Sequence, residues 1–251
     1  MLRTSQCSDF NHVEPLFACG SMSQTVQRPG SNHWSRHFSG LGLIVSIAVL
    51  FVCFPFVEDL RRGPLILSIL VTIVLISALF AIAGHARTFY VAAALALISL
   101  GARWLHLYRP DLVPIEVFLI GEILLILFVI VHLLRFVLAA TAVDSEVLFA
   151  SISAYLLLGL LWTMAYWLVA ELIPAAFAFN TSSSDATSMK GFDAFYFSFI
   201  TLCTVGYGDI TPVSKVARML AAMEAIVGLL YVAVLIARLV ALHTSSKSNE
   251  S

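Results

Sequence analysis

Six apolar runs constrain this chain more than any other feature, at residues 41–57, 64–84, 88–108, 115–138, 146–173 and 215–242. The hydrocarbon core of a bilayer is about 30 Å thick, and about 20 apolar residues of helix cross it. Lipid offers backbone N–H and C=O groups no partner, so such runs are stable there only as helices that close their own hydrogen bonds. Composition agrees. Hydrophobic residues make up 60 % of the chain, charged residues 12 %, and the mean hydropathy is +0.96, unlike soluble domains. A net charge of −1 gives no basic surface for nucleic acid. The fold expected is an all-α membrane protein.

The breaks between runs carry turn chemistry. Pro55 is expected to end the short first run. Glu58-Asp59-Leu-Arg61-Arg62-Gly63-Pro64 is a charged turn with a helix-starting proline. Gly84-His85-Ala86-Arg87 makes the second break, and Tyr108-Arg109-Pro110-Asp111 ends the third helix before its proline. Residues 1–40 are rich in Ser, Asn, Gln and Gly and are expected to be disordered; no apolar run there reads as a signal peptide. His12, His33 and His37 fit no single helix face, so a metal site is not expected. Cys7, Cys19, Cys53 and Cys203 show no CxxC spacing, which argues against zinc or a disulfide framework. Six crossings place both termini on one side, but lysines and arginines divide evenly between the sides and do not orient the chain.

A voltage-sensing helix needs a ladder of arginines, because charge moving through the membrane field supplies the gating energy. The fourth run, Ile115 to Leu138, holds only Arg135 near one end, Glu116 near the other and Glu122 further in. Strong voltage dependence through this helix is not expected. Arg103 in the third run and Glu122 in the fourth fall at similar depth, at about 1.5 Å of rise per residue. Either they pair across helices, or each reaches separately for the headgroups.

Between the last two runs lies Thr201-Leu-Cys-Thr-Val-Gly-Tyr-Gly-Asp-Ile-Thr-Pro212. Its alternate glycines permit positive φ, which turns successive carbonyls to one side of an extended strand. Thr204-Val205-Gly206-Tyr207-Gly208, followed by Asp209 and flanked by two long apolar runs, resembles the selectivity filter of potassium channels. The resemblance covers the chain from about Ser145 onward. It implies that the carbonyls of Thr204, Val205, Gly206 and Tyr207, with the Thr204 hydroxyl, replace the water shell of K+. One chain supplies one strip, so the resemblance implies a homotetramer. It also implies a pore loop entering from outside, with both termini cytoplasmic in the cell (plasma) membrane.

Phe192 to Cys203 is too short to span and is expected to form a re-entrant pore helix, capped by Asp193 at its positive end. By resemblance, Phe195, Tyr196, Phe197 and Phe199 form a cuff around the filter; the alternative is ordinary packing. Asp209 resembles the acid that bonds back to the pore helix. Glu171 resembles a carboxylate that ties the outer helix to the filter loop; the alternative is a solvated helix end. Phe199 and Ile200 stand where many relatives keep a polar group behind the filter. Glu224, in the inner helix, either hydrogen-bonds near the base of the pore helix, through Thr201, or faces the cavity. Gly228 stands where the family often has a hinge glycine, and marks either a bend or a tight helix contact. Asn180-Thr-Ser182, in the polar turret, matches a glycosylation sequon.

The expected organisation is a disordered cytoplasmic tail (1–40), a four-helix, non-voltage-sensing transmembrane domain (41–140), a pore domain (145–242) and a short cytoplasmic tail (243–251). The last leaves no room for a ligand-binding domain. The function expected is potassium-selective conduction by a homotetramer in membrane lipid, without strong voltage gating and with no cofactor besides permeant K+. An enzyme is not expected: there is no Ser/His/Asp set, no HExxH and no repeated half-sequence. The alternatives are a weakly selective cation channel, a subunit that needs a regulatory partner chain, and, more remotely, a transporter or membrane enzyme. The intact Tyr207 between two glycines argues against the first.

Overall fold

The structure, a computed structural model, describes residues 33–58, 60–81, 86–140, 144–180, 189 and 191–248. Residues 1–32, with His12, Cys7 and Cys19, and most of the turret lie outside the described residues. In chain order the elements are α1 (His33–Val57), α2 (Gly63–Ala81), α3 (Ala86–Tyr108), α4 (Ile115–Ala139), α5 (Ser145–Leu172), β1 (Phe177–Phe179), α6 (Gly191–Leu202), β2 (Ile210–Pro212) and α7 (Lys215–Ser248). All helices except α6 are long and apolar enough to cross a membrane, six in number. The chain is a multi-pass, all-α membrane protein, as its apolar runs require.

Some boundaries move. α1 begins at His33, inside the stretch expected to be a tail, and passes through Pro55 to Val57. A proline removes one helical N–H but lets the last turn close behind it, and Glu58 N still donates to Phe54 O at 3.3 Å. At the other end α7 continues to Ser248, into the expected second tail. The two short strands pair antiparallel, Phe177 opposite Pro212 and Phe179 opposite Ile210, a ribbon that hydropathy does not reveal.

α4 and α5 make the most extensive helix contact. Phe118, Glu122, Leu125, Val129, Leu133 and Val137 of α4 are buried at three- and four-residue spacing, which is one stripe of a helix. On α3 the matching stripe is Ala92, Ala96, Ser99 and Arg103. A Cβ on Gly121 would lie 3.0 Å from Ser99 Oγ, so small residues set the α3–α4 approach. That approach brings Arg103 Nη1 to 2.6 Å from Glu122 Oε1, the paired one of the two readings that their depth allowed. Arg103 Nε also donates to Ser68 Oγ of α2 at 3.2 Å. Arg103 and Glu122 are both buried, so each makes the other tolerable in hydrocarbon.

The last two spans differ sharply. In the apolar window of α5, 67 % of residues are buried, but in that of α7 only 11 % are. α7 leaves Met219, Ile226, Leu229, Leu230 and Ile236 more than half exposed. Near its far end Arg238 Nη2 donates to Leu138 O at 3.0 Å and Ala140 O at 2.8 Å. These carbonyls close the negative end of α4, where a cation is favoured.

Candidate functional site: the loop between α6 and β2

α6 has 12 residues, about 18 Å of helix, too short to cross the core. Its C-terminal carbonyls hold the first half of the loop. Cys203 N donates to Phe199 O at 3.1 Å, Thr204 N to Thr201 O at 2.9 Å and Val205 N to Ile200 O at 2.8 Å. Beyond them φ is positive at Thr204 (57°), Gly206 (52°) and Gly208 (79°), every second residue. Positive φ is costly for a β-branched residue such as Thr204 and is kept only where neighbours over-determine it. Among the described residues, the carbonyls of Thr204, Val205, Gly206 and Tyr207 accept no hydrogen bond, and all four residues are exposed. These four consecutive carbonyls are therefore free to accept from, or to coordinate, a group outside the chain.

The outer half of the loop is fastened from a different side. Asn180 follows β1; its N donates to Asp209 O at 2.7 Å and its Nδ2 to Gly208 O at 2.7 Å. Tyr196 of α6 donates its hydroxyl to Asp209 Oδ2 at 2.7 Å, so Asp209 is bonded back to this helix. The Asn180 amide of the sequon is thus engaged with the loop. The β1–β2 ribbon gives it this position, and no local pattern marks it.

Behind α6 lies a buried polar group. Ser198 Oγ is 2.7 Å from Glu224 Oε1 and 2.8 Å from Gly159 O, and Tyr166 donates its hydroxyl to Glu224 Oε2 at 2.5 Å. Glu224 is fully buried. It therefore lies at the base of α6, but its partner there is Ser198, one turn before the expected Thr201. The reason is helical phase: Ser198 is completely buried and faces α5 and α7, whereas Thr201 is half-buried and offers its backbone carbonyl to the loop. Two hydroxyls, from α5 and α6, thus meet the two carboxyl oxygens of Glu224. Gly228, one turn further along α7, stands at a tight contact between α6 and α7: a Cβ there would lie 2.6 Å from Leu202 O.

The N-terminus of α6 departs from expectation. Asp193 accepts no hydrogen bond from the described residues, and burial raises its carboxyl above the ordinary aspartate range. The cap is Glu58, from the turn between α1 and α2. Phe192 N points between its carboxylate oxygens, 3.0 Å from Oε1 and 3.1 Å from Oε2. Gly191 (φ 43°) makes room: a Cβ there would lie 2.0 Å from Glu58 Oε1. Only the packing of α1 beside α6 brings an acid more than a hundred residues away to this amide.

The aromatic cuff is also redistributed. Phe195 and Phe199 meet Phe51 of α1 edge-on, with centroids 4.7 and 4.6 Å away. Phe197 packs on Tyr166 and Phe177 at 4.9 and 5.6 Å. Of the four, Tyr196 alone bonds to the loop within one chain. A Cβ on Gly159 would lie 2.3 Å from the Phe199 ring, so α5 is notched to receive it. Glu171 accepts from Trp167 Nε1, one turn back on its own helix, at 3.1 Å, and is not brought to the loop.

A short helix that ends in an extended loop of unpartnered carbonyls, between two apolar spans, defines a pore-loop membrane protein. Comparison with known proteins agrees. Residues 157–245 match the family described as Ion channel. Protein LctB of Bacillus caldotenax is 34 % identical over a segment covering 69 % of its length and 32 % of this chain. Two pore potassium channel c of Oryza sativa subsp. japonica is 34 % identical over 35 % of this chain, and two-pore potassium channel 3 of Arabidopsis thaliana 42 % identical over 19 %. The alignments span only 19 % and 11 % of these plant relatives. No solved structure matches significantly. The chain belongs to the ion channel family, among the relatives of potassium channels, and is not an enzyme.

Proposed function

We propose that this chain is one subunit of a homotetrameric potassium channel that conducts K+ passively through Thr204 to Gly208. The observation that carries the reading is the run of carbonyls at Thr204, Val205, Gly206 and Tyr207, unpartnered within one chain and set by positive φ at every second residue. Carbonyl rings of this kind take the place of a cation's water shell, and four strips close one ring. The negative end of the α6 dipole adds to the attraction for a cation at the inner end of the loop. α6 enters the membrane and returns, which non-helical backbone can do only beside protein or water. The exposed faces of α7 and of the loop are what neighbouring subunits cover.

Glu224 with Ser198 and Tyr166 supports the filter from behind, and Asp209 with Tyr196 and Asn180 steadies its outer end. α4 carries no arginine ladder, so gating by voltage is weak. The channel sits in the cell membrane with both termini cytoplasmic. The test is potassium flux into liposomes that contain the purified chain, beside a Gly206→Asp variant. Flux in the wild type and none in the variant supports the reading; equal flux in both contradicts it. A reversal potential in mixed K+ and Na+ separates selective from weakly selective conduction.

A further inference from the structure

A partly enclosed cavity of about 460 Å³ lies among α1 to α5, within the size range of small-molecule pockets, about 300–1,000 Å³. Most of its wall is apolar, including Phe54, Val71, Phe118, Ile126 and Met164. Its polar lining groups include Arg103, Ser68 and His106. Arg103 is nine-tenths buried, with Nη1 on Glu122 and Nε on Ser68. The guanidinium lies over the Phe118 ring, 5.7 Å from its centroid, and its Nη2 has no hydrogen-bond acceptor among the described residues. A guanidinium N–H in the cavity lining with no protein acceptor can donate to an oxygen of an occupant.

Charge narrows the choice. Glu122 already neutralises Arg103, so an anionic head gains no free positive charge from it. Depth narrows it again. Arg103 is five residues from the end of α3 at Tyr108, about 7.5 Å into a core about 30 Å thick. That is a short reach from the glycerol ester layer, whose carbonyls are neutral acceptors on apolar chains. We propose that the cavity binds one acyl chain of a membrane glycerolipid, its ester carbonyl accepting from Arg103 Nη2. Glu58, which caps α6, forms part of the same wall, so the lipid lies against the group that holds the pore helix.

The full chain is reconstituted in palmitoyl-oleoyl phosphatidylcholine vesicles containing a phosphatidylcholine with a diazirine on one acyl chain. After irradiation, labelled residues are mapped by mass spectrometry. Phe118 and Met164, 4 % and 7 % exposed, take label together with outward-facing Leu97, 74 % exposed. Val71→Trp fills the cavity and removes the label from Phe118 and Met164 while leaving Leu97 unchanged. Arg103→Lys keeps a charge for Glu122 but loses the planar fork that reaches Glu122, Ser68 and the cavity together, and reduces that label about fivefold, the equivalent of one hydrogen bond. Label at Leu97 with none at Phe118 and Met164, or label there indifferent to both variants, overturns the proposal. Should Val71→Trp fail to fold, Leu67→Phe narrows the same wall and is read the same way.

Discussion

The Glu224 carboxyl shows how much one side chain can hold in this protein. Tyr166, Ser198 and Gly159 converge on it or on its partner, from α5 and α6, at distances of 2.5 to 2.8 Å. Glu224→Ala strands the buried Tyr166 hydroxyl, at about 1–3 kcal/mol, while Ser198 keeps Gly159 O as its acceptor. Glu224→Gln keeps the count, since its amide donates to Ser198 and its oxygen accepts from Tyr166. Thermal unfolding of the purified chain is therefore expected to fall by several degrees for the alanine variant and to change little for glutamine. Equal melting of the two variants would show that the hydrogen bonds contribute nothing. Gly228 makes a second residue-scale prediction. Gly228→Ala places a methyl 2.6 Å from Leu202 O and pushes α7 off the pore helix. Stability and flux fall together, whereas a glycine acting only as a hinge would change gating and spare the melt.

At the scale of elements, two helix caps reach between the first four helices and the rest, beside the packing of α4 and α1 on α5. Glu58 caps α6, and Arg238 of α7 caps α4. An N-terminal cap is worth about 1 kcal/mol, so Glu58→Ala should speed amide exchange at Phe192 about fivefold while exchange in the middle of α5 is unchanged. Unchanged protection of Phe192 would mean that the contact is not populated. The Arg103–Glu122 pair makes a different kind of prediction. Removing one partner leaves a charge in hydrocarbon, at a cost of about 3–5 kcal/mol, while replacing both by apolar residues is close to neutral. Arg103→Leu or Glu122→Leu alone should then express poorly, and the double variant should recover. A double variant no better than either single one would argue that the two side chains act separately.

For the whole molecule, the carbonyls of the Thr204–Gly208 loop find no partner in lipid, and the proposed tetramer is the assembly that would enclose them. Light scattering in mild detergent is expected to give the mass of four chains, and a monodisperse monomer that still conducts would contradict this. Strong voltage dependence is not expected either, because α4 carries Arg135 alone where a ladder is needed. A steep conductance–voltage curve in planar bilayers would place a sensor elsewhere.

What the chain itself determines is set by solvent and by backbone. Apolar run lengths defined the six spans to within a few residues, since hydrocarbon demands about 20 residues per crossing. The resemblance of Thr204–Gly208 to a selectivity filter singled out the loop after α6, and its glycines accept the positive φ found there. Depth made an Arg103–Glu122 pair one of two readings, and the packing of α3 on α4 decided for it. The remaining contacts depend on which helix lies beside which, and hydropathy is silent about that. The packing of α1 against α6 made Glu58 the cap in place of Asp193, and drew Phe195 and Phe199 away from the loop. The phase of α6 against α7 chose Ser198 over Thr201 for Glu224. The β1–β2 ribbon carried Asn180 to Gly208. Each of these bonds joins residues far apart in the chain, so only the tertiary structure could decide them.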